Sequence, residues 1–169
     1  MRRIRQPTPG FVVAVLVILL IAVRLQLAER HGQRSAASVE FVTVAKVFDG
    51  DTFLCTDGSR VRLLGVDAPE VSHGNQLAER YGEESGNWLR RRIEGRIVQL
   101  RIGSEPFDRY GRRLAWVYDD RGKLINRELL REGAARLLPD FGLPAELEPS
   151  LRAAEAEART TRTGIWQKR

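Results

Sequence analysis

The sequence contains few of the residues that cross-link small folds. Its 169 residues include one cysteine, Cys55, and two histidines. One cysteine cannot form an internal disulfide, and this set falls short of the four ligands of a structural zinc site. A collagen-like or wholly disordered chain is also excluded, because 43% of the residues are hydrophobic and 30% are charged. The length suits one globular domain, which a hydrophobic core must stabilise.

Acidic residues are scarce at the N-terminus, and this imbalance accounts for most of the net charge. The formal charge is +6, but residues 1–34 hold six arginines and one glutamate, which leaves +1 for residues 35–169. The sequence pI of about 10.2 therefore reports a basic N-terminus. An argument for nucleic-acid binding must rest on where the charges lie, because their total does not indicate it.

A long hydrophobic run also lies at the N-terminus. Three arginines in the first five residues precede thirteen apolar residues, from Phe11 to Val23. This run predicts a hydrophobic helix that is typical of a signal peptide and short for a full membrane span of about 20 residues. We interpret residues 1–28 as a signal-anchor or signal peptide, with the uncleaved anchor favoured, and residues 29–39 as a linker. Because basic flanks stay in the cytoplasm, we expect the domain to be membrane-anchored on the extracytoplasmic side, or secreted if the segment is cleaved.

Residues 40–169 carry the pattern of a folded domain that begins with strands. Short runs rich in β-branched and aromatic residues predict five strands, at residues 41–48, 52–55, 60–66, 97–102 and 114–118. The turn signals Asp49-Gly50 and Asp57-Gly58 separate the first three runs and predict hairpins.

Apolar residues at helical spacing predict three helices in the same domain. They lie at residues 81–93, 125–133 and 147–158. The order along the chain is strands, helix, strands, helices. This order indicates an α+β domain built on a five-stranded barrel, of which the OB-fold is the commonest small form.

Arg62 is the first candidate for chemistry. Alternation along a continuous strand over residues 60–66 places it on the same face as Leu64 and Val66. If those two side chains point inward, Arg62 lies at the barrel wall and needs an anionic partner. A solvent-facing arginine at a strand edge is the alternative.

Carboxylates follow this strand. Asp67 and Glu70 bracket Ala68-Pro69, and the proline favours extended backbone at Ala68. An extended turn can present both carboxylates and the Ala68 carbonyl toward one point, and Asp51 can add a third carboxylate if the strands pair as predicted. Oxygen ligands suit a hard cation, so calcium or magnesium is favoured over zinc. Surface charges that serve solubility are the alternative.

Taken together, five segments resemble the staphylococcal-nuclease-like (thermonuclease) family in order and approximate spacing. They are Asp49–Thr52, Arg62–Glu70, Tyr81-Gly82, Asp108–Arg112 and Gly164–Trp166. The resemblance covers about residues 40–167. It implies an OB-fold, calcium-dependent phosphodiesterase that hydrolyses DNA and RNA.

The resemblance also implies roles for residues at the matching positions. The catalytic residues would be Arg62, Glu70 and Arg112. The two arginines would bind the phosphate, and Glu70 would act on the attacking water, as a base or by orienting it. The metal ligands would be Asp51, Asp67 and the backbone carbonyl of Ala68, which replaces the family's usual threonine. Calcium is expected rather than magnesium, and we expect a monomer that needs no protein partner.

Two departures from the family concern the substrate. The loop at residues 71–76 lacks the lysines of the type member, and Pro139 and Phe141 stand at tyrosine positions that pack the nucleotide. An altered grip on the substrate is therefore expected. A non-catalytic OB-fold module that binds nucleic acid or protein is the alternative to an enzyme, and the complete catalytic set favours the enzyme.

Overall fold

Seven strands and three helices form in the computed structural model, which describes residues 39–71, 79–139 and 142–168. The strands are β1 (Val39–Val47), β2 (Thr52–Cys55), β3 (Arg60–Leu63), β4 (Val66–Asp67), β5 (Ile97–Phe107), β6 (Arg113–Tyr118) and β7 (Arg136–Leu137). The helices are α1 (Gly82–Ile93), α2 (Ile125–Arg131) and α3 (Glu148–Thr161), and a 3-10 turn follows at Gly164–Trp166.

Five of the strands close into a barrel in the order β1-β2-β3-β6-β5, with β5 pairing back to β1. The β3–β6 pair is parallel and the other barrel pairs are antiparallel. A small five-stranded barrel with helices packed around it is the arrangement of the OB-fold, so the predicted α+β class is confirmed. The two short strands β4 and β7 form a separate two-stranded sheet.

A continuous hydrophobic core fills the barrel and extends beneath the helices. Fully buried members come from β2, α1, β5, α2 and α3, among them Phe53, Leu89, Leu100, Leu129 and Leu151. The predicted inner face of the last helix is confirmed at Leu151, Ala154 and Ala158, which are buried. Cys55 is buried in β2, as expected for a small strand residue.

The prediction of one strand over residues 60–66 is wrong. β3 ends at Leu63, the chain turns at Leu64-Gly65, and Val66 begins β4. Gly65 adopts a φ of 68°, and a Cβ there would lie 2.6 Å from the ring of Trp116. The buried side chain of Asn126 fixes the same turn by donating a hydrogen bond to the Leu64 carbonyl at 2.8 Å. The alternation argument for Arg62 therefore fails beyond Leu63.

β5 runs five residues past its predicted end, to Phe107. The observed bounds of the other predicted helices and strands differ from the predicted bounds by fewer residues. No helix in the described part of the chain combines the length and apolar character that crossing a membrane requires. The predicted signal or anchor segment at residues 1–28 lies outside the described residues, as do most of the linker and Phe141.

Candidate active site

The guanidinium of Arg62 on β3 bridges two carboxylates. Its Nη1 contacts the Asp51 carboxylate, and its Nη2 lies 3.1 Å from Oδ1 of Asp67. The Arg62 side chain is 15% exposed. Burial lowers the pKa of Arg62, and the nearby Asp67 carboxylate counteracts part of that effect. Because an arginine stays charged at physiological pH, the site holds a cation between two anions.

Asp51 is a buried carboxylate with defined partners. It is 2% exposed, and its Oδ2 accepts a hydrogen bond from the backbone N–H of Ala68 at 2.8 Å. Its Oδ1 accepts a hydrogen bond from the Thr52 hydroxyl at 3.1 Å. Asp49 fixes the preceding turn, because its Oδ1 accepts hydrogen bonds from the N–H groups of Asp51 at 2.9 Å and Thr52 at 2.6 Å. This local turn directs Asp51 toward the chain segment that contains Ala68.

Gly50 allows that turn to approach the rest of the site closely. A Cβ at this position would lie 2.5 Å from the Cβ of Ala68 and would overlap the Ser85 side chain on α1. The φ of Gly50 is not positive, so the glycine is needed for space rather than for an unusual backbone conformation. The Asp-Gly pair is thus a turn, as predicted, and it is also the contact between the β1–β2 hairpin and Ala68.

Arg112 reaches the site from the loop that joins β5 to β6. The Asp108 carboxylate accepts hydrogen bonds from the backbone N–H groups of Tyr110 at 2.9 Å and Arg112 at 3.0 Å, and from Nε of Arg112 at 2.7 Å. Burial acts to raise the pKa of Asp108, but these hydrogen bonds hold it below its ordinary value. Nη1 of Arg112 lies 3.5 Å from the hydroxyl oxygen of Thr52. Since that hydroxyl also bonds to Asp51, Arg112 joins the cluster around Arg62.

Glu70 follows Asp67 by three residues in the chain and is exposed. Its backbone is held in place, since its carbonyl accepts a hydrogen bond from the N–H of Glu79 at 2.9 Å. Gly82, the first residue of α1, packs directly against the same carbonyl, and a Cβ there would overlap it. In the described part of the chain the Glu70 carboxylate makes no hydrogen bond or ion pair.

Arg62 and Arg112 line one open cavity of about 500 Å³. A third arginine, Arg109, and two aromatic residues, Phe107 and Tyr110, line it as well. Guanidinium groups bind phosphate oxygens through paired hydrogen bonds, and aromatic rings stack on flat bases. The cavity therefore combines the two kinds of surface that a nucleotide recognises.

The donor set fits a hard divalent cation. Asp51 and Asp67 both contact one guanidinium, so their oxygens converge on a single positive charge. Among the described residues of the site the donors are oxygens, which suits calcium or magnesium rather than zinc. No group of three or more acidic, histidine or cysteine side chains forms a metal site within the described ranges. A bound cation would thus use two carboxylates and complete its shell with carbonyl, water or substrate oxygens.

The structure brings together most of the residues that sequence reasoning selected. Arg62, Asp51, Asp67 and Ala68 are joined by direct contacts, and Arg112 is joined through Thr52. Glu70 is adjacent in the chain without a contact to the others. Sequence reasoning missed the positioning roles of Asp49 and Asp108. Each aspartate lies two to four residues before the backbone N–H groups from which its carboxylate accepts hydrogen bonds. This spacing is a recognisable Asx-turn signal.

The fold and this site define a class of protein: an OB barrel whose paired arginines and acidic cluster are suited to a phosphodiester. Comparison with known proteins narrows the class. Residues 60–168 match the family described as "Staphylococcal nuclease homologue". The chain belongs to this family.

Three curated relatives illustrate the similarity. The chain is 33% identical to a thermonuclease of Staphylococcus intermedius over 164 residues, which are 92% of this chain and 96% of the relative. It is 28% identical to a thermonuclease of Staphylococcus hyicus over 168 residues, 94% of this chain and 96% of the relative. It is 34% identical to the endonuclease YncB of Bacillus subtilis (strain 168) over 131 residues, 75% of this chain and 62% of the relative.

Proposed function

We propose that the protein is a nuclease that hydrolyses internal phosphodiester bonds of DNA, RNA or both by metal-assisted attack of water. The observation that carries this proposal is the placement of Arg62 and Arg112 in one cavity, with Arg62 bonded to the carboxylates of Asp51 and Asp67. Family membership supports it, as do the relatives that are named thermonucleases and endonucleases.

The two arginines are suited to a charge that grows during the reaction. Attack of water on a phosphodiester adds negative charge to the non-bridging oxygens. A guanidinium donates two parallel hydrogen bonds and stays protonated, so its bonds strengthen as that charge develops. Asp108 holds Arg112 in place before substrate arrives, and Asp51 and Asp67 hold Arg62. Preorganisation of this kind lowers the barrier without movement of the side chains.

Asp51, Asp67 and the Ala68 carbonyl are the residues that would hold a divalent cation. Calcium suits them better than magnesium, because calcium accepts irregular oxygen shells while magnesium demands a near-ideal octahedron. When bound, the cation would neutralise a phosphate oxygen and make a coordinated water more acidic. The Ala68 N–H holds Asp51 Oδ2, which leaves Oδ1 as the oxygen that faces Arg62.

Glu70 is assigned to the attacking water. The support is its exposure and its place in the chain, three residues after the proposed metal ligand Asp67. Orientation of the water and acceptance of its proton are both compatible with this geometry, and the pH dependence of kcat for Glu70→Gln distinguishes them.

Digestion of defined substrates tests the proposed function directly. Purified full-length protein is incubated with single-stranded DNA, duplex DNA and RNA, each with calcium, with magnesium and with an excess of chelator. We expect cleavage with calcium, less with magnesium and none with chelator, and restoration when calcium is added back. Binding without cleavage in every condition would instead support a non-catalytic module, and undiminished cleavage in chelator would contradict the metal.

The substitution Arg62→Lys tests the assignment of the phosphate-binding arginines. Lysine keeps the charge but cannot bridge Asp51 and Asp67 with two nitrogens, and it loses the paired hydrogen bonds to phosphate. We expect kcat to fall by about 10²–10³-fold, the range for losing one transition-state donor, with a smaller change in calcium binding. The matched control is Arg60→Lys, because Arg60 lies on the same strand and is exposed. Equal kcat values for the two variants would contradict the assignment.

We also propose that residues 1–28 anchor the protein in a membrane with residues 40–169 on the extracytoplasmic side. The support is the sequence alone: three arginines precede the apolar run from Phe11 to Val23. Fractionation of expressing cells, followed by protease treatment of intact cells or spheroplasts, tests this. We expect the protein in the membrane fraction and its domain accessible to external protease. Recovery in the medium without residues 1–28 would show cleavage instead.

A further inference from the structure

Phe107 has a large apolar side chain that does not lie in the hydrophobic core. It is the last residue of β5, and it is 58% exposed. A single exposed apolar residue is ordinary on a protein surface, so exposure alone assigns it no role. Its place is informative, because it lines the same cavity as Arg62 and Arg112.

The end of β5 lies outside the core. Glu105, Pro106 and Phe107 are all exposed. Glu105 lines the cavity together with Phe107, and Gly103 lines the adjoining one, of about 270 Å³. The irregularity in the β5–β6 pairing lies between Ile102, which is buried, and Phe107, which is exposed.

The position of Phe107 relative to Arg112 is fixed by the hairpin that carries both. Phe107 pairs with Arg113 as the last pair of the β5–β6 ladder. The intervening loop is closed by a hydrogen bond from the N–H of Asp108 to the Arg112 carbonyl at 3.0 Å. The Asp108 side chain adds its bonds to Arg112. The aromatic ring and the guanidinium are therefore held on one rigid element.

Tyr110, the other aromatic residue of the cavity, is already engaged by the protein. The guanidinium of Arg109 lies 4.8 Å from its ring centroid and that of Arg112 lies 5.5 Å away. Its hydroxyl accepts a hydrogen bond from Arg109 at 2.7 Å. Phe107 has no cation over its ring in the described part of the chain. Among the described residues of the cavity, Phe107 presents an aromatic ring that no protein cation covers.

We propose that Phe107 is a stacking platform for a nucleobase of single-stranded DNA or RNA, next to the phosphate held by Arg62 and Arg112. This inference rests on the proposed function and adds a base-binding subsite to it. A nucleotide pairs a charged phosphate with a flat ring, and the cavity presents guanidinium groups beside a phenyl ring. A paired duplex keeps its bases stacked inside the helix, so only an unpaired base can reach Phe107. The subsite thus favours single strands over duplexes.

The guanidinium groups of the cavity suit a ligand that carries phosphate oxygens. Three arginines line the cavity, against the two carboxylates of Glu105 and Asp108. Asp108 is bonded to Arg112, and Asp51 and Asp67 are bonded to Arg62, so these guanidinium groups serve as oriented hydrogen-bond donors rather than as an excess of positive charge. Phosphate oxygens therefore find donors on the side of Arg62 and Arg112, while the base lies toward Phe107.

The test compares Phe107→Ala with a control on another face of the barrel. Phe41→Ala is the matched control, because Phe41 is 70% exposed on β1 and does not line the cavity. Two further variants, Phe107→Trp and Phe107→Leu, separate loss of the ring from loss of apolar bulk. Kinetics with calcium give KM and kcat for a single-stranded DNA, an RNA of the same sequence and the DNA duplex. Fluorescence anisotropy in chelator gives the Kd of each labelled strand without cleavage.

We expect Phe107→Ala to raise KM and Kd for both single strands about 5–30-fold, within the range for removing one stacking ring, with kcat changed less than about threefold. Phe107→Leu is expected to lose nearly as much, Phe107→Trp to bind as well as the parent or better, and Phe41→Ala to change less than about twofold. Duplex affinity should change less than about twofold in every variant. A single-strand KM within twofold of the parent for Phe107→Ala, or an equal loss on duplex, would overturn the subsite.

The two proposals fail in different ways. If the parent protein binds single strands but cleaves none, the proposed nuclease is wrong, and the Kd series still decides on Phe107. If the parent cleaves and Phe107→Ala matches it on single strands, the nuclease stands and the subsite is wrong. If the parent neither binds nor cleaves nucleic acid, both are wrong. Near-ultraviolet circular dichroism of each variant verifies that the fold is retained.

Discussion

Neutralising Glu128 is expected to destabilise the domain by about 2 kcal/mol. This carboxylate on α2 is 0% exposed. Three cations surround it: Nζ of Lys123 lies 2.6 Å from Oε2, Nη2 of Arg127 lies 3.4 Å from Oε1, and Nη2 of Arg131 contacts Oε2. The substitution Glu128→Gln keeps the size and shape of the side chain and removes its charge.

The magnitude follows from the exposure of the partners. Breaking a buried ion pair costs about 3–5 kcal/mol when the remaining charge stays buried. Here the remaining charges belong to side chains that are 37–39% exposed, so each can turn partly toward water. That relief lowers the cost to about 2 kcal/mol, which for a domain of this size corresponds to a fall in Tm of roughly 6–10 °C.

A matched control lies next to the end of the same helix. Glu132 also pairs with Arg131, at 3.9 Å, but its side chain is 40% exposed. An exposed pair contributes about 0–1 kcal/mol, so Glu132→Gln should change stability by less than about 0.5 kcal/mol. Urea unfolding followed by tryptophan fluorescence measures both variants. If Glu128→Gln unfolds within 0.5 kcal/mol of Glu132→Gln, burial of this charge does not stabilise the fold and the reasoning is refuted.

Three further substitutions or treatments follow from the structure. Gly50→Ala should destabilise the domain by about 1–3 kcal/mol and reduce kcat, because its Cβ would press on Ala68, and urea unfolding together with turnover measures both effects. The pKa of Asp108 is lowered in the folded protein, so the stabilisation by Asp108 is present above the unfolded pKa and is lost as pH falls through the folded pKa. Asp108→Asn should therefore flatten the acid limb of a curve of stability against pH, and it should raise KM by loosening Arg112. An acid limb that the substitution leaves unchanged would contradict the assignment. Burial raises the pKa of the Cys55 thiol and shields it, so a thiol reagent should label the native protein only at its unfolding rate; immediate labelling in native buffer would show that the thiol is accessible.

The barrel was predictable because its signals are local. The β-branched run of β1 and the turn at Asp49-Gly50 specify a hairpin within a short stretch of chain, and the structure has that hairpin. The break at Leu64-Gly65 was not predictable in this way. It depends on the Trp116 ring against Gly65 and on Asn126 bonding to Leu64, and both partners come from distant parts of the chain.

The site shows the same division between local and distant information. Carboxylates near Arg62 were expected from the order of residues along the chain, but the alternation argument for Arg62 assumed a strand that the structure interrupts. The anionic partners are nevertheless present, in Asp51 and Asp67. Burial of Glu128 could not be anticipated, because a glutamate among basic residues on a short helix usually faces water. The pairing that buries it is visible only once α2 is packed.

The parallel pairing of β3 with β6 has a consequence for when activity arises. Arg62 is the register partner of Leu114, two residues after Arg112, so the two arginines meet only when these strands pair. A hairpin cannot make a parallel pair, and the intervening chain includes α1 and all of β5. Closing so long a loop is slow compared with hairpin formation. During refolding from urea, the acidic cluster around Arg62 can form early, whereas turnover should return only with the late, global phase that closes the barrel.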